Sequence, residues 1–219
     1  MMRTVMIHVE GQTEESFVNV VLRDHLRTFD IHPQPIINST KRLISGEKFK
    51  GGITKFKKVE PELRSLLRAS HAIAVTTMYD FYALPEDFPG MQGIATIRPE
   101  LQASHLELAL SQQINNPKFI PYLQVHEFEA ILFSDTKPFA EFYGAATATG
   151  IANILLGFQG NPELINNHRD TSPSHRIADL IKQYDKATDG PLLAAEIPIS
   201  VIRAKCPHFN TWITTLEGL

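Results

Sequence analysis

The run Ala72-Ile73-Ala74-Val75-Thr76-Thr77 carries no charge and ends in Met78-Tyr79-Asp80. A half-exposed strand alternates apolar and polar residues, whereas a continuous apolar strand needs cover on both faces. That is the place of a central strand in a parallel sheet with helices above and below it. A second such run, Thr4-Val5-Met6-Ile7-His8-Val9, stops at Glu10-Gly11. Stretches at Pro35-Ile36-Ile37-Asn38 and from Phe119 to Val125 read as two further strands.

Helical patterns separate these runs. One opens at Thr13-Glu14-Glu15, with the threonine as cap and two acids at the positive end of the helix dipole; Val18, Val21, Leu22, Leu26 and Phe29 share its inner face. Another starts near Pro61 and uses Leu63, Leu66 and Leu67, and further ones span Pro99 to Ile114 and run from Glu127 through Phe133. Residues 81–98 are rich in proline and glycine and read as an irregular loop. Alternating strands and helices imply right-handed parallel crossovers. The expected fold is therefore α/β, a three-layer sandwich around a mainly parallel sheet of about four strands, the first and third adjacent. Strand signals end near Asp135, and Ile151–Phe158, Ser174–Tyr184 and Pro198–Leu216 look helical. The expected division is an α/β core over 1–135 and a helical C-terminal extension over 136–219, packed on the core as a cap.

A hydrophobic share of 43% and a charged share of 21% argue against disorder. The single cysteine, Cys206, cannot form an internal disulfide, which fits a reducing, cytoplasmic setting. No stretch approaches the roughly 18 apolar residues of a spanning helix, and the start MMRTVMIHVEGQ lacks the apolar region of a signal peptide. Net charge is −3, but Lys41 to Arg68 holds nine Lys/Arg against three acids. Its Lys48, Lys50, Lys55, Lys57 and Lys58 are candidate phosphate contacts; a solvated surface is the competing reading.

Ligands of open parallel sheets bind outside the carboxyl ends of the strands. Acids stand at three such ends: Glu10, Asp80, and Glu127 with Glu129, while Glu14 lies one helical turn beyond Glu10. Carboxylates gathered at one edge repel one another unless a cation neutralises them, and all-oxygen ligands favour Mg²⁺ or Mn²⁺ over zinc. Glu14 could equally serve the helix dipole, and Asp87 could be a turn former. Ser172-Pro173-Ser174-His175-Arg176 opens a helix whose free amides, with Arg176, offer a phosphate-binding corner or an ordinary cap. Phe81, Tyr82 and Phe88 could stack on unpaired bases or wedge the loop onto the domain. No Gly-x-x-x-x-Gly-Lys-Ser/Thr, Gly-x-Ser-x-Gly, Cys-x-x-Cys or His-x-x-x-His pattern occurs, so a phosphate-binding loop, a serine hydrolase elbow and a structural zinc site find no support.

Val9-Glu10-Gly11-Gln12-Thr13-Glu14-Glu15 resembles the first motif of TOPRIM domains, in the form seen in nucleases of the overcoming-lysogenization-defect type. The resemblance implies a role in metal binding and acid/base chemistry for Glu10 and a place in the metal site for Glu14. The second TOPRIM motif, Asp-x-Asp, reads Asp80-Phe81-Tyr82 here; Asp80 matches and Tyr82 departs, so two-metal chemistry would need Asp87 or Glu127. Along most of its length the chain is similar to a bacterial family, domain of unknown function 4276. Carrying segments include Tyr82-Ala83-Leu84-Pro85-Glu86-Asp87-Phe88-Pro89-Gly90 and Tyr122-Leu123-Gln124-Val125-His126-Glu127-Phe128-Glu129-Ala130. That resemblance implies company with ATPases in bacterial defence. Two expectations follow: a nuclease dependent on Mg²⁺ or Mn²⁺ acting on DNA or RNA, or a non-catalytic TOPRIM-like module that binds nucleic acid or a partner ATPase. Homo-oligomerisation is left open by the sequence.

Overall fold

A computed structural model describes residues 3–38, 53–69, 71–165, 168 and 170–219. Its centre is a five-stranded sheet of β1 (Arg3–Val9), β2 (Ile31–Ile37), β3 (Ala72–Asp80), β4 (Phe119–Ile120) and β5 (Leu123–Gln124). The order is β2-β1-β3-β4, with β5 also on β3, and every pairing is parallel. The first and third strands are neighbours, as their doubly buried sequences require.

Alternation along the strands feeds two cores. Val5, Ile7 and Val9 of β1, with Ala74 and Met78 of β3, face one side; Met6, Val75 and Tyr79 face the other. The second side is covered by α3 (Phe56–Leu67) and α4 (Pro99–Ile114) through Phe56, Val59, Leu63, Leu106 and Leu110. On the first side lie α1 (Gln12–Phe17) and α2 (Arg23–Arg27), joined by a π-helical turn (Val18–Leu22). They are accompanied by α5 (Lys137–Tyr143), α6 (Ala145–Leu156), α7 (Pro173–Leu180), α8 (Asp189–Ala195), α9 (Ile199–Lys205) and α10 (Pro207–Glu217). The molecule is thus an α/β fold, a mainly parallel sheet with helices on both faces. The region after 135 supplies Phe139, Ile151, Ile177, Ile202, Phe209 and Trp212 to the same core as β1.

Several boundaries differ from the sequence expectation, each for a physical reason. β2 starts at Ile31 and contains Pro33 and Pro35, which propensity reads as loop. Two apart, the prolines put their missing donors on one side, and β2 pairs with β1 alone, so the gap faces the sheet edge. The first helix is capped by Gly11, not Thr13, which lies inside it. α3 begins at Phe56, ahead of Pro61, because the Asp87 carboxylate accepts from the backbone N–H groups of Phe56 (2.8 Å) and Lys57 (3.3 Å). The fourth strand is split at Pro121-Tyr122. Thr77 bridges the break: its hydroxyl donates to the Tyr122 carbonyl (2.8 Å) and accepts the Tyr122 N–H (2.9 Å). The segment after Glu127 is a 3-10 helix, Phe128–Ser134. The sequence expectation also merged α9 and α10 into one helix, and passed over α5 and α8. Among the described residues no helix is long and apolar enough to cross a membrane.

Trp212 fastens the C-terminal helix to the central strand. Trp212 stacks on Tyr122 with centroids 4.0 Å apart and planes at 6°, and its indole N–H donates to the Thr76 hydroxyl at 2.9 Å. Trp212→Phe keeps most of the apolar area but removes the donor to that hydroxyl and weakens the stack. It should cost about 1–2 kcal/mol, lowering Tm in thermal unfolding by roughly 2–8 °C.

Candidate functional site

Parallel pairing brings the carboxyl ends of β1, β3 and β5 to one edge, and the acids go with them. Glu10 leaves β1 with an 8% exposed side chain, and its Oε2 accepts the Asp80 backbone N–H at 3.2 Å. Glu14, buried in the first turn of α1, accepts the Gly11 N–H at 2.7 Å, half of a capping box. Asp80 closes β3 and accepts the Phe128 N–H at 2.8 Å. Glu127 accepts the Ser174 N–H at 2.5 Å. Glu127 and Glu129 are both buried, and each binds Lys186 Nζ, at 2.9 and 3.2 Å. Each of the strand-end acids other than Glu129 is therefore oriented by a backbone amide from another segment or turn.

The electrostatics follow from this gathering. Burial first, then the negative charges of Glu10, Glu14, Glu129 and Glu127, push the Asp80 carboxyl well above the ordinary carboxylate range. Burial also raises Glu129, to about 7, with Glu127 adding to the effect and Lys186 opposing it. At Glu127 burial is outweighed by Lys186 and the Ser174 amide, so its pKa lies below the usual value. Burial would depress the Lys186 ammonium, but the charges of Glu129 and Glu127 win and raise its pKa. Lys186 thus sits on Glu127 and Glu129 at one end of the acid row, while Glu10 and Glu14 push the Asp80 carboxyl upward at the other. An all-carboxylate donor set of this kind suits a hard divalent cation in its chemistry. Among the described residues, no three His, Cys, Asp or Glu side chains stand arranged to hold a metal ion. The carboxylates point at backbone amides, and side-chain rotation would have to bring them together.

The other candidates fall elsewhere. Asp87 is exposed and caps α3; the amides of Phe56 and Lys57 overcome its slight burial and hold its pKa below normal. In this structure that carboxylate is engaged at the start of α3. Lys55, Lys57 and Lys58 are exposed at the start of α3, while Lys48 and Lys50 lie outside the described residues. Arg176 donates through Nε to the Thr171 carbonyl (2.7 Å) and lies over the Phe158 ring at 5.0 Å. Ser172 caps α7 as expected, but the Ser174 amide of that corner is taken by Glu127. Lys186 was missed altogether: Tyr184-Asp185-Lys186-Ala187 reads as a polar loop, and nothing local ties it to residues 57 and 59 positions earlier.

Removing the Lys186 ammonium tests this balance. In Lys186→Met, burial acts on Glu129 without the opposing charge, and on Glu127 with only the Ser174 amide against it, so the pair holds more protons in the fold than in the unfolded chain above about pH 4.3. The stability deficit should therefore widen as pH rises from 5 to 8, reaching roughly 2 kcal/mol, less than for a fully buried pair because the lysine is half exposed. Glu129→Gln in that background should recover part of it, read by Tm across the pH series.

Comparison with curated proteins gives no match. Among solved structures, the C-terminal region of the OLD protein of Xanthomonas campestris pv. campestris is similar over 98% of each chain, at 18% identity and a TM-score of 0.38. The profile of one family, described as Domain of unknown function (DUF4276), matches residues 9–217. The chain belongs to that family.

Proposed function

We propose that this chain is a nuclease dependent on Mg²⁺ or Mn²⁺, cleaving phosphodiester bonds of DNA or RNA at the carboxyl edge of its sheet, in a TOPRIM-like arrangement. The observation that carries this reading is Asp80, a strand-end carboxylate gathered at one edge with Glu10, Glu14, Glu127 and Glu129. A fold gains nothing in stability from such a group, and perturbed carboxylates in this position are characteristic of working sites. Glu10, Glu14 and Asp80 would hold the ion. When bound there, it supplies Lewis-acid polarisation of a phosphate oxygen and a more acidic water. Glu10, whose carboxylate accepts the Asp80 amide, would take a proton from the attacking water. Lys186, already on Glu127 and Glu129, keeps those two acids from repelling the phosphate. Lys55, Lys57 and Lys58 would take the flanking backbone. The ATPase partner implied by the family resemblance belongs to the same reading, since the chain has no phosphate-binding loop of its own. The placement of Lys186 favours a second reading, a non-catalytic nucleic-acid or ATPase-binding module, because it fills part of the acid row with a permanent cation.

Asp80→Asn separates the two. The amide oxygen still accepts from Phe128, but the charge is gone. A carboxyl raised in the fold costs stability as pH rises through its unfolded value, so the variant should be more stable than wild type at pH 7 without metal. A gain of about 1 kcal/mol would appear as a Tm increase of roughly 2–4 °C. Mn²⁺ should raise the Tm of wild type and leave the variant unmoved, and cleavage of labelled oligonucleotides in Mg²⁺ or Mn²⁺ should vanish in Asp80→Asn and Glu10→Gln. Wild type that gains no stability from either ion and cuts no oligonucleotide would decide for the module. Replacing Lys55, Lys57 and Lys58 by Gln should weaken binding to all sequences alike and flatten the log–log salt slope by about 0.7–0.9 per lost contact.

A further inference from the structure

Three aromatic side chains follow Asp80, and the fold uses them differently. Phe88 is 2% exposed and packs edge-on against Phe56 of α3 at 5.4 Å. Phe81 and Leu84 turn toward the core between the sheet, α3 and α4. Residues 81–83 form a 3-10 turn, in which side chains three apart share a side. With Phe81 and Leu84 facing inward, Tyr82 between them faces outward and is 45% exposed.

The backbone beneath that ring is fixed. The Tyr82 N–H donates to the His126 carbonyl at 2.8 Å, and two residues away the Phe128 N–H donates to Asp80. His126 adopts φ 65°, a left-handed conformation that costs a non-glycine residue on the order of 1 kcal/mol and persists only where its surroundings impose it. The stage that carries Tyr82 also carries the acids. The same loop then reaches Asp87, whose carboxylate holds the first turn of α3 and with it Lys55, Lys57 and Lys58. α3 returns the chain from β2 to the start of β3, so its first turn lies at the carboxyl edge. An exposed aromatic face and a cluster of ammonium groups therefore flank the acidic centre on one continuous piece of chain.

Lysines serve a phosphate backbone whether it is single- or double-stranded, but a stacking ring needs a base whose face is uncovered, which a duplex withholds. We infer that the site takes an unpaired strand, with Tyr82 stacking on a base beside the scissile phosphate and Lys55, Lys57 and Lys58 tracking the neighbouring phosphates. This inference rests on the nuclease reading and adds its substrate class and a specificity-determining residue.

The test uses the full chain in EDTA, so that binding is read without cleavage, and oligonucleotides of one mixed sequence as single strands and as duplexes, in DNA and RNA form. Each carries a single 2-aminopurine, whose fluorescence falls on stacking. Wild type should bind single strands more tightly than duplexes and quench the probe. Tyr82→Ala should lose about ten-fold or more in single-strand affinity, together with the quench, while duplex binding stays within two-fold. Tyr82→Trp should restore both, which a merely structural tyrosine would not do. Unchanged single-strand affinity in Tyr82→Ala, an equal loss on duplexes, or failure of tryptophan to rescue overturns the inference. If wild type cleaves in Mn²⁺ while any of these holds, the nuclease reading stands and the inference alone falls. If wild type binds neither form and cuts neither, both fall.

Discussion

Like charge gathered at one sheet edge is the constraint around which the rest of the structure is arranged. The molecule contains it by giving carboxylates backbone N–H groups. Gly11 donates to Glu14, Asp80 to Glu10, Phe128 to Asp80 and Ser174 to Glu127. Where the acceptor is held ionised, as Glu127 is, such hydrogen bonds are about twice as strong as neutral ones. The same acids thus stitch the ends of β1 and β3, the 3-10 segment after Glu127 and the start of α7 into one edge. Glu163 repeats the device, accepting from His208 and Phe209 at 2.9 Å each to cap α10.

The opposite face of the sheet shows how closely polar groups can be tolerated when they are satisfied. His8, fully buried two residues before Glu10, places Nδ1 at 2.7 Å from the Tyr79 hydroxyl and Nε2 at 3.1 Å from Glu62 of α3. Burial lowers the His8 pKa, with Glu62 pulling the other way. Tyr79 immediately precedes Asp80. The strand positions next to the acids are therefore held laterally by a hydrogen-bonded chain rather than by apolar packing alone, which fixes the register at the point where side chains must be aimed.

What could be read from the sequence was whatever is decided within a few residues. β1 and β3 announce themselves by uninterrupted apolar runs, and the acids at their ends by following those runs directly. The parts that escaped are decided by distant partners. Asp87 starts α3 from 31 positions away, and Thr77 spans the Pro121 break from 45. Pro33 and Pro35 are acceptable only because β2 is at an edge, which is a property of the sheet and not of the segment. Lys186 reaches its acids across the cap, and no periodicity records that. Asp87 also shows how one residue type supports two readings: the same acid in a Pro-rich loop can ligate a cation or cap a helix, and nothing within the loop records that α3 starts beside it.

The attachment of α10 bears on the order in which the chain can reach this structure. Val5, Ile7 and Val9 share their core with Phe209, Trp212, Ile213 and Leu216, about 200 residues later, and His25 and Arg203 both bind Glu217. On a ribosome, the sheet face built from the earliest strand has to wait for the latest helix. Until α10 is made, that face is covered only in part, by α1, α2 and the helices that precede α10, and the apolar surface left over is of the kind chaperones bind. Closure is a late, long-range event, and folding of this chain is expected to be slow for its size for that reason.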